Sequence, residues 1–145
     1  VLHGLTTENF TAAHLARAAM EGVTLGLGYG MQRLREPGIA PTEIRLTGGG
    51  SNSATWRQIC ADVFGAPVVC LQTSEGASLG AALQAAWAWS ATQPAKLSLA
   101  ELTRDFVKTD PKSAAEPDAA NTALYRERIA KMTGLRMALT GGGYL

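Results

Sequence analysis

Apolar positions change their period several times along the chain. Over residues 11–35, Leu15, Ala19, Val23, Leu27, Met31 and Leu34 recur at spacings of three and four, which predicts an amphipathic helix. Ala18, Gly22, Gly26 and Gly30 make a second line at four-residue spacing. An interior glycine costs a helix about 1 kcal/mol relative to alanine. The line therefore points to a second backbone close against this face, with a hinge as the competing reading. Arg17 and Glu21 lie one turn apart, spaced for a surface ion pair. Pro37, Gly38 and Pro41 then break the helix.

Ile44–Thr47 suits a short strand, and "GGG" follows it at 48–50. Trp56, Ile59, Cys60, Val63 and Phe64 fall at helical spacing, the apolar face of a helix packed on a sheet. Gly65 ends that helix and Pro67 follows. The run "PVVCL" (67–71) predicts a buried strand. A third helix spans 73–90, with Thr73 or Ser74 as its cap and Glu75 in its first turn. The order α, β, glycines, α, β, α predicts an α/β domain with neighbouring parallel strands. Residues 91–123 are polar and broken by Pro94, Pro111 and Pro117. Within them, Ser98 and Glu101 have capping-box spacing ahead of Leu102 and Phe106. A final helix is predicted over about 119–133, and no element from Gly134 on.

With 145 residues, 46% of them apolar and 17% charged, the chain suits one globular domain. A net charge of +1 supplies no field to recruit nucleic acid or an anionic membrane. No run of 18 strongly apolar residues and no charged-then-apolar leader occur, so neither a transmembrane helix nor a signal peptide is expected. A cytoplasmic location follows as an expectation. Cys60 and Cys70 are ten residues apart, with only His3 and His14 as nitrogen co-ligands. That pattern fits two small buried side chains better than a metal or redox site. Asp62, Asp105, Asp110 and Asp118 are expected to be solvated.

The glycine run carries the candidate chemistry. Between a strand and a helix, Gly48, Gly49 and Gly50 leave main-chain N–H groups open, with no Cβ to keep a ligand away. The following helix adds its positive end, and Ser51, Asn52, Ser53 and Thr55 add short polar groups. Such a place can take a phosphate or the edge of a nucleotide. It can equally be a tight turn whose serines only cap a helix. A P-loop is excluded, because no Lys-Ser or Lys-Thr follows. A dinucleotide fingerprint would need glycine where Ser53 stands and an acidic residue where Gln72 follows the second strand. The letters "LTGGG" recur at 139–143 with no strand before and no helix after. That copy reads as a flexible terminus.

Three ordered blocks, "ARAAMEGVTLGL" (16–27), "IRLTGGGSNSATWRQICADVFGAPV" (44–68) and "SEGASLGAALQAA" (74–86), resemble the C-terminal part of FGGY-family carbohydrate kinases. The GGG-x-x-S-x-x-W-R-Q version is most similar to the xylulokinases of that family. The likeness runs over roughly residues 11–135; it implies a partial nucleotide-binding lobe over 1–135, with 136–145 as a flexible tail. It implies an actin-like ATPase (ribonuclease H-like) lobe, the C-terminal half of a two-lobed sugar kinase. It also implies transfer of the ATP γ-phosphate to a sugar hydroxyl, as in D-xylulose to D-xylulose 5-phosphate. ATP and Mg2+ are the implied cofactors, the metal held mainly by the phosphates and the other lobe. Gly48, Gly49 and Gly50 would lie against ATP or ADP, with Ser53 and Thr55 at the helix start that approaches the adenine. Family glycerol kinases place Asn near Thr55, and this chain does not. Gly80-Ala81-Ala82 would pack beside the nucleotide loop. The catalytic base and most sugar contacts would belong to the N-terminal lobe, so this part alone is expected to be inactive. A homodimer is compatible with this reading. The alternatives are a non-catalytic lobe-docking or oligomerisation module, or another family substrate such as glycerol, gluconate or ribulose.

Overall fold

The computed structural model describes residues 1–94 and 96–144. Its helices are α1 (Ala12–Arg35), α2 (Ala54–Phe64), α3 (Gly76–Ser90), α4 (Leu99–Phe106) and α5 (Ala119–Gly141). Its strands are β1 (Ile44–Leu46), β2 (Val68–Leu71) and β3 (Thr109–Ala115), with a 3-10 turn at Gly49–Asn52. The predicted order of the first six elements is recovered. The described residues fall into two compact units. One holds Val1–Pro41, Ile59–Gly65 and the stretch from Pro117 on; the other holds Thr42–Gln58 and Ala66–Glu116.

The first unit is helical. Thr11 caps α1 by accepting the His14 N–H. Leu25, Ile59, Val63, Tyr125 and Ile129 are buried at its core. A Cβ at Gly28 would sit 2.7 Å from Val63 Cγ1 and 2.9 Å from Ile129 Cδ1, so an added methyl would force those side chains to shift. The Gly22, Gly26 and Gly30 line predicted to meet another backbone meets none among the described residues; a Cβ at each would have no such heavy atom within 4 Å. The close approach on α1 is at Gly28, a different face.

The Arg17–Glu21 pair is more than a surface contact. Arg17 Nε donates to Glu21 Oε1 at 2.7 Å, and Arg128 Nη1 reaches Glu21 Oε2 at 2.6 Å. The Tyr125 hydroxyl donates to Glu21 Oε1 at 2.9 Å and accepts from Arg17 Nη2 at 3.0 Å. Both carboxylate oxygens are thus engaged, and Glu21 ties α1 to α5. Burial pushes the Tyr125 phenol up. The glutamate side chain is only 14% exposed, so the network is screened less than an open pair.

Asp62, expected in solvent, is buried. It accepts the Asp118 N–H at 2.8 Å and Asn121 Nδ2 at 3.2 Å. Asp118 in turn caps α5 by accepting the Asn121 N–H. That helix does not stop near 133. It runs through 136–141, the expected tail, and is capped at Gly142–Tyr144. Leu145 lies outside the described residues.

The second unit carries a three-stranded sheet in the order β1-β2-β3. β1 and β2 are parallel, pairing Ile44 with Val68 and Leu46 with Cys70. β2 and β3 are antiparallel, so the sheet is mixed. β3 stands within the polar stretch that predicted no strand. It is an edge strand, it contains Pro111, and only Ser113 in it is buried, so it shows neither hydrophobic alternation nor strand propensity. Its pairing shifts between Val68 and Cys70. Across that bulge the Ser113 hydroxyl accepts the Cys70 N–H at 2.7 Å and donates to the Asp110 carbonyl at 2.6 Å. A side chain thereby satisfies a main-chain donor that the ladder leaves open. α4 has the predicted capping box: Ser98 Oγ accepts the Glu101 N–H, and the Glu101 carboxylate accepts the Ser98 N–H at 2.8 Å. The Ser98 N–H and then the Ser98 hydroxyl, which donates to the same carboxylate at 2.7 Å, hold the Glu101 carboxyl below its ordinary range.

Candidate functional site: the glycine turn and the adjoining cleft

β1 ends at Leu46 and the chain enters the turn through Thr47. Thr47 Oγ1 donates to the Ser74 carbonyl at 3.0 Å and accepts the Gly76 N–H at 3.2 Å. The Gly48 N–H donates to the same carbonyl at 3.0 Å. The turn is therefore pinned to the loop between β2 and α3. Gly48 has φ +88° and ψ 176°, a region open essentially to glycine alone.

The Ser51 N–H and hydroxyl both donate to the Gly48 carbonyl, at 3.1 and 2.7 Å. The N–H groups of Gly49 and Gly50 find no acceptor among the described residues. A Cβ at Gly48 or Gly49 would meet nothing within 4 Å, whereas one at Gly50 would lie 3.1 Å from the Trp56 ring. The turn is bare at Gly48–Gly49 and backed by Trp56 at Gly50. Ser53 accepts the Trp56 N–H at 3.2 Å, the bond that caps α2. Thr55 is exposed in the first turn of that helix.

Gly80-Ala81-Ala82, expected beside this turn, is exposed, and a Cβ at Gly80 would touch nothing. Ser74 and Gly76 make that contact instead; a Cβ at Gly76 would lie 2.5 Å from Thr47 Oγ1. Glu75 rather than Thr73 or Ser74 precedes α3, and it makes no side-chain capping bond.

A cleft of ≈ 420 Å³ opens beside the turn, within the same unit. Its walls are Ser51, Asn52 and Arg57, then the end of β2 through Ser74, then Asp110, Lys112 and Ser113 of β3. It lies past the carboxyl ends of two parallel strands, where open α/β sheets bind ligands. Gly48–Gly50, Ser53 and Thr55 do not line it. Arg57 Nη1 donates to the Ser51 carbonyl at 2.8 Å, which also faces Cys70 Sγ at 3.4 Å. Asp110 Oδ1 accepts the Lys112 N–H at 3.1 Å.

Of these walls the sequence pointed to Ser51 and Asn52, but not to Arg57, Asp110 or Lys112 as site residues. Arg57 stands one turn past the glycines, and the strand-end rule could have drawn attention to Gln72–Ser74. Nothing in the order of residues announces Asp110 and Lys112, because only the bulged pairing of β3 brings them there.

Both cysteines are free and buried. Among the described residues no group of three or more His, Cys, Asp or Glu could hold a metal ion. Among them, too, no helix is long and apolar enough to cross a membrane.

The family model for the C-terminal domain of the FGGY family of carbohydrate kinases matches residues 1–89. A xylulose kinase of Haemophilus influenzae is 42% identical over 123 residues, covering 85% of this chain and 24% of that protein. Two solved structures from Lactobacillus acidophilus share the fold. A ligand-bound xylulose kinase superposes with TM-score 0.78 at 27% identity, over 97% of this chain and 27% of its own. A gluconate kinase does so with TM-score 0.76 at 27% identity, over 96% of this chain and 27% of its own. The chain thus spans about a quarter of the length of the relatives it matches. Its mixed sheet and helices are those of the C-terminal actin-like ATPase lobe in these kinases. By its sequence match over more than half its length, the chain belongs to the FGGY family of carbohydrate kinases, within the family's C-terminal domain.

Proposed function

We propose that the chain is the ATP-binding part of a cytoplasmic sugar kinase that transfers the γ-phosphate of ATP to a hydroxyl of D-xylulose, giving D-xylulose 5-phosphate. The observation that carries this reading is the bare face at Gly48–Gly49, beside which the Gly49 and Gly50 N–H groups find no acceptor among the described residues at a helix start. In a chain of this family, such a face fits the ribose and α-phosphate edge of ATP or ADP. Gly48, Gly49 and Gly50 form the contact; Ser53 fixes the start of α2, and Thr55 stands exposed at its first turn.

Mg2+ would neutralise phosphate charge during transfer. Asp110 is the one acid among the described residues that line the cleft, so the metal would be held by the phosphates and the remainder of a longer kinase. We assign no catalytic base to this chain. Asp62 is committed to Asp118 and Asn121, and Asp118 caps α5. The chain alone should therefore bind nucleotide and phosphorylate nothing, since one lobe can neither position the γ-phosphate nor exclude water from it.

Calorimetry with ADP tests the binding. A coupled assay tests the activity: D-xylulose should drive ADP release only in a longer chain that supplies the other lobe. Sugar-dependent turnover by these 145 residues alone would overturn the assignment. Gluconate, glycerol and ribulose as competing acceptors decide the sugar; the gluconate kinase neighbour makes gluconate the first to try.

One observation favours a second reading, a docking or self-association module. The Gly22, Gly26 and Gly30 line is uncovered, and Val23 and Leu27 beside it are 57% and 58% exposed. No heat with ADP, together with association with the missing lobe or with a second copy, would select it.

A further inference from the structure

The cleft beside the glycine turn is lined by two cationic side chains, Arg57 and Lys112, whose N–H donors are mostly unengaged among the described residues. A guanidinium has five N–H donors, and the one acceptor that Arg57 meets among the described residues is the Ser51 carbonyl. That bond orients the group and leaves the rest of its fork unengaged. The Lys112 side chain is exposed, and its ammonium pairs with no acceptor among the described residues. Asp110 is the opposing charge, and one of its oxygens already takes the Lys112 main-chain N–H. Two cations and one carboxylate thus line a hollow of ≈ 420 Å³. The ligand that balances this wall is a compact anion rich in acceptor oxygens.

We propose that this cleft binds a phosphoryl group, held by Arg57 and Lys112. A guanidinium fork and an ammonium are the two side chains suited to phosphate, the one by geometry and the other as a point charge. The cleft's place past the carboxyl ends of β1 and β2 is where such ligands settle on α/β sheets. The site is not the bare glycine face, because Gly48–Gly50 do not line it; the two share only the wall formed by Ser51 and Asn52. The phosphoryl group can come from a nucleotide lying on the turn or from a separate phosphate.

Titration calorimetry of the chain with ADP, adenosine and inorganic phosphate tests the proposal. The variants are Lys112→Met, whose side chain stands in solvent, and Asp110→Asn. Lys112→Met should weaken binding of the phosphate-bearing probes about tenfold, as for loss of a charge-assisted contact, and leave adenosine unchanged. Asp110→Asn should strengthen them by several-fold, on the order of one removed like-charge contact. Phosphate that competes with ADP identifies the nucleotide's own phosphate as the occupant; phosphate that binds alongside ADP identifies a separate one. Either supports the site. Adenosine binding with no gain from phosphates and no effect of Lys112→Met sinks the cleft while leaving the glycine turn standing. Phosphate binding that depends on Lys112, without adenosine or ADP binding, does the reverse. Silence from all three probes sinks both.

Discussion

The same five residues, Leu-Thr-Gly-Gly-Gly, occur twice and do opposite things. At 46–50 they leave a strand and lead into a helix. There the Gly49 and Gly50 N–H groups find no acceptor among the described residues, and a Cβ at Gly49 would have none of their heavy atoms within 4 Å. At 139–143 they close α5. There the Gly142 N–H donates to Ala138, Gly143 to Thr140 and Tyr144 to Leu139, with Gly143 at φ +74°. That is the Schellman arrangement, in which N–H groups of the glycine tail are used up on the last carbonyls of the helix. Where a helix starts, N–H groups are the orphans; where it ends, carbonyls are. A glycine triplet therefore offers donors in the first setting and consumes them in the second. Thr47 sharpens the contrast, because its hydroxyl pins the first copy to Ser74 and Gly76.

Substitutions can break this contrast, and the largest effect is expected at Gly48. Gly48→Ala should cost about 2 kcal/mol, because alanine is strained at that φ and ψ, and should abolish measurable ADP binding. Denaturant titration that finds wild-type stability would mean the turn can relax and the geometry is not essential. Ser53→Ala removes the cap of α2 and should cost about 1 kcal/mol; an unchanged midpoint would count against that role. Gly143→Ala forces a left-handed alanine and should cost a little less, about 1 kcal/mol at most, confined to the last turn of α5. Amide exchange should show that fraying, with ADP affinity unmoved; a drop in affinity would mean the second copy also serves the ligand. Gly49→Ala should change stability least, by no more than about 0.5 kcal/mol, yet its methyl would occupy the bare face. ADP affinity equal to wild type in that variant would show that no ligand rests there.

Where local signals agree with the fold, the sequence was readable. The apolar face from Trp56 to Phe64, the "PVVCL" strand and the Ser98–Glu101 capping box each appear as expected, because spacing and capping are properties of a few neighbouring residues. The glycine turn was readable for the same reason. Other features depend on partners far along the chain. Arg17 and Glu21 announce an ion pair, but only α5 brings Tyr125 and Arg128 to it. Asp62 has the composition of a solvated residue and is buried because the start of α5 gives it donors.

The sequence by itself determined the family, the order of the early elements and the turn with bare amides, since all are written in short-range pattern. Tertiary structure alone decided that 109–115 is a strand, that Lys112 and Arg57 share a cleft, and that Gly28 rather than the Gly22, Gly26 and Gly30 line takes the close contact. Those outcomes follow from which segments pair and pack. A strand with a proline and one buried residue is stabilised by its neighbour's hydrogen bonds, not by any preference of its own.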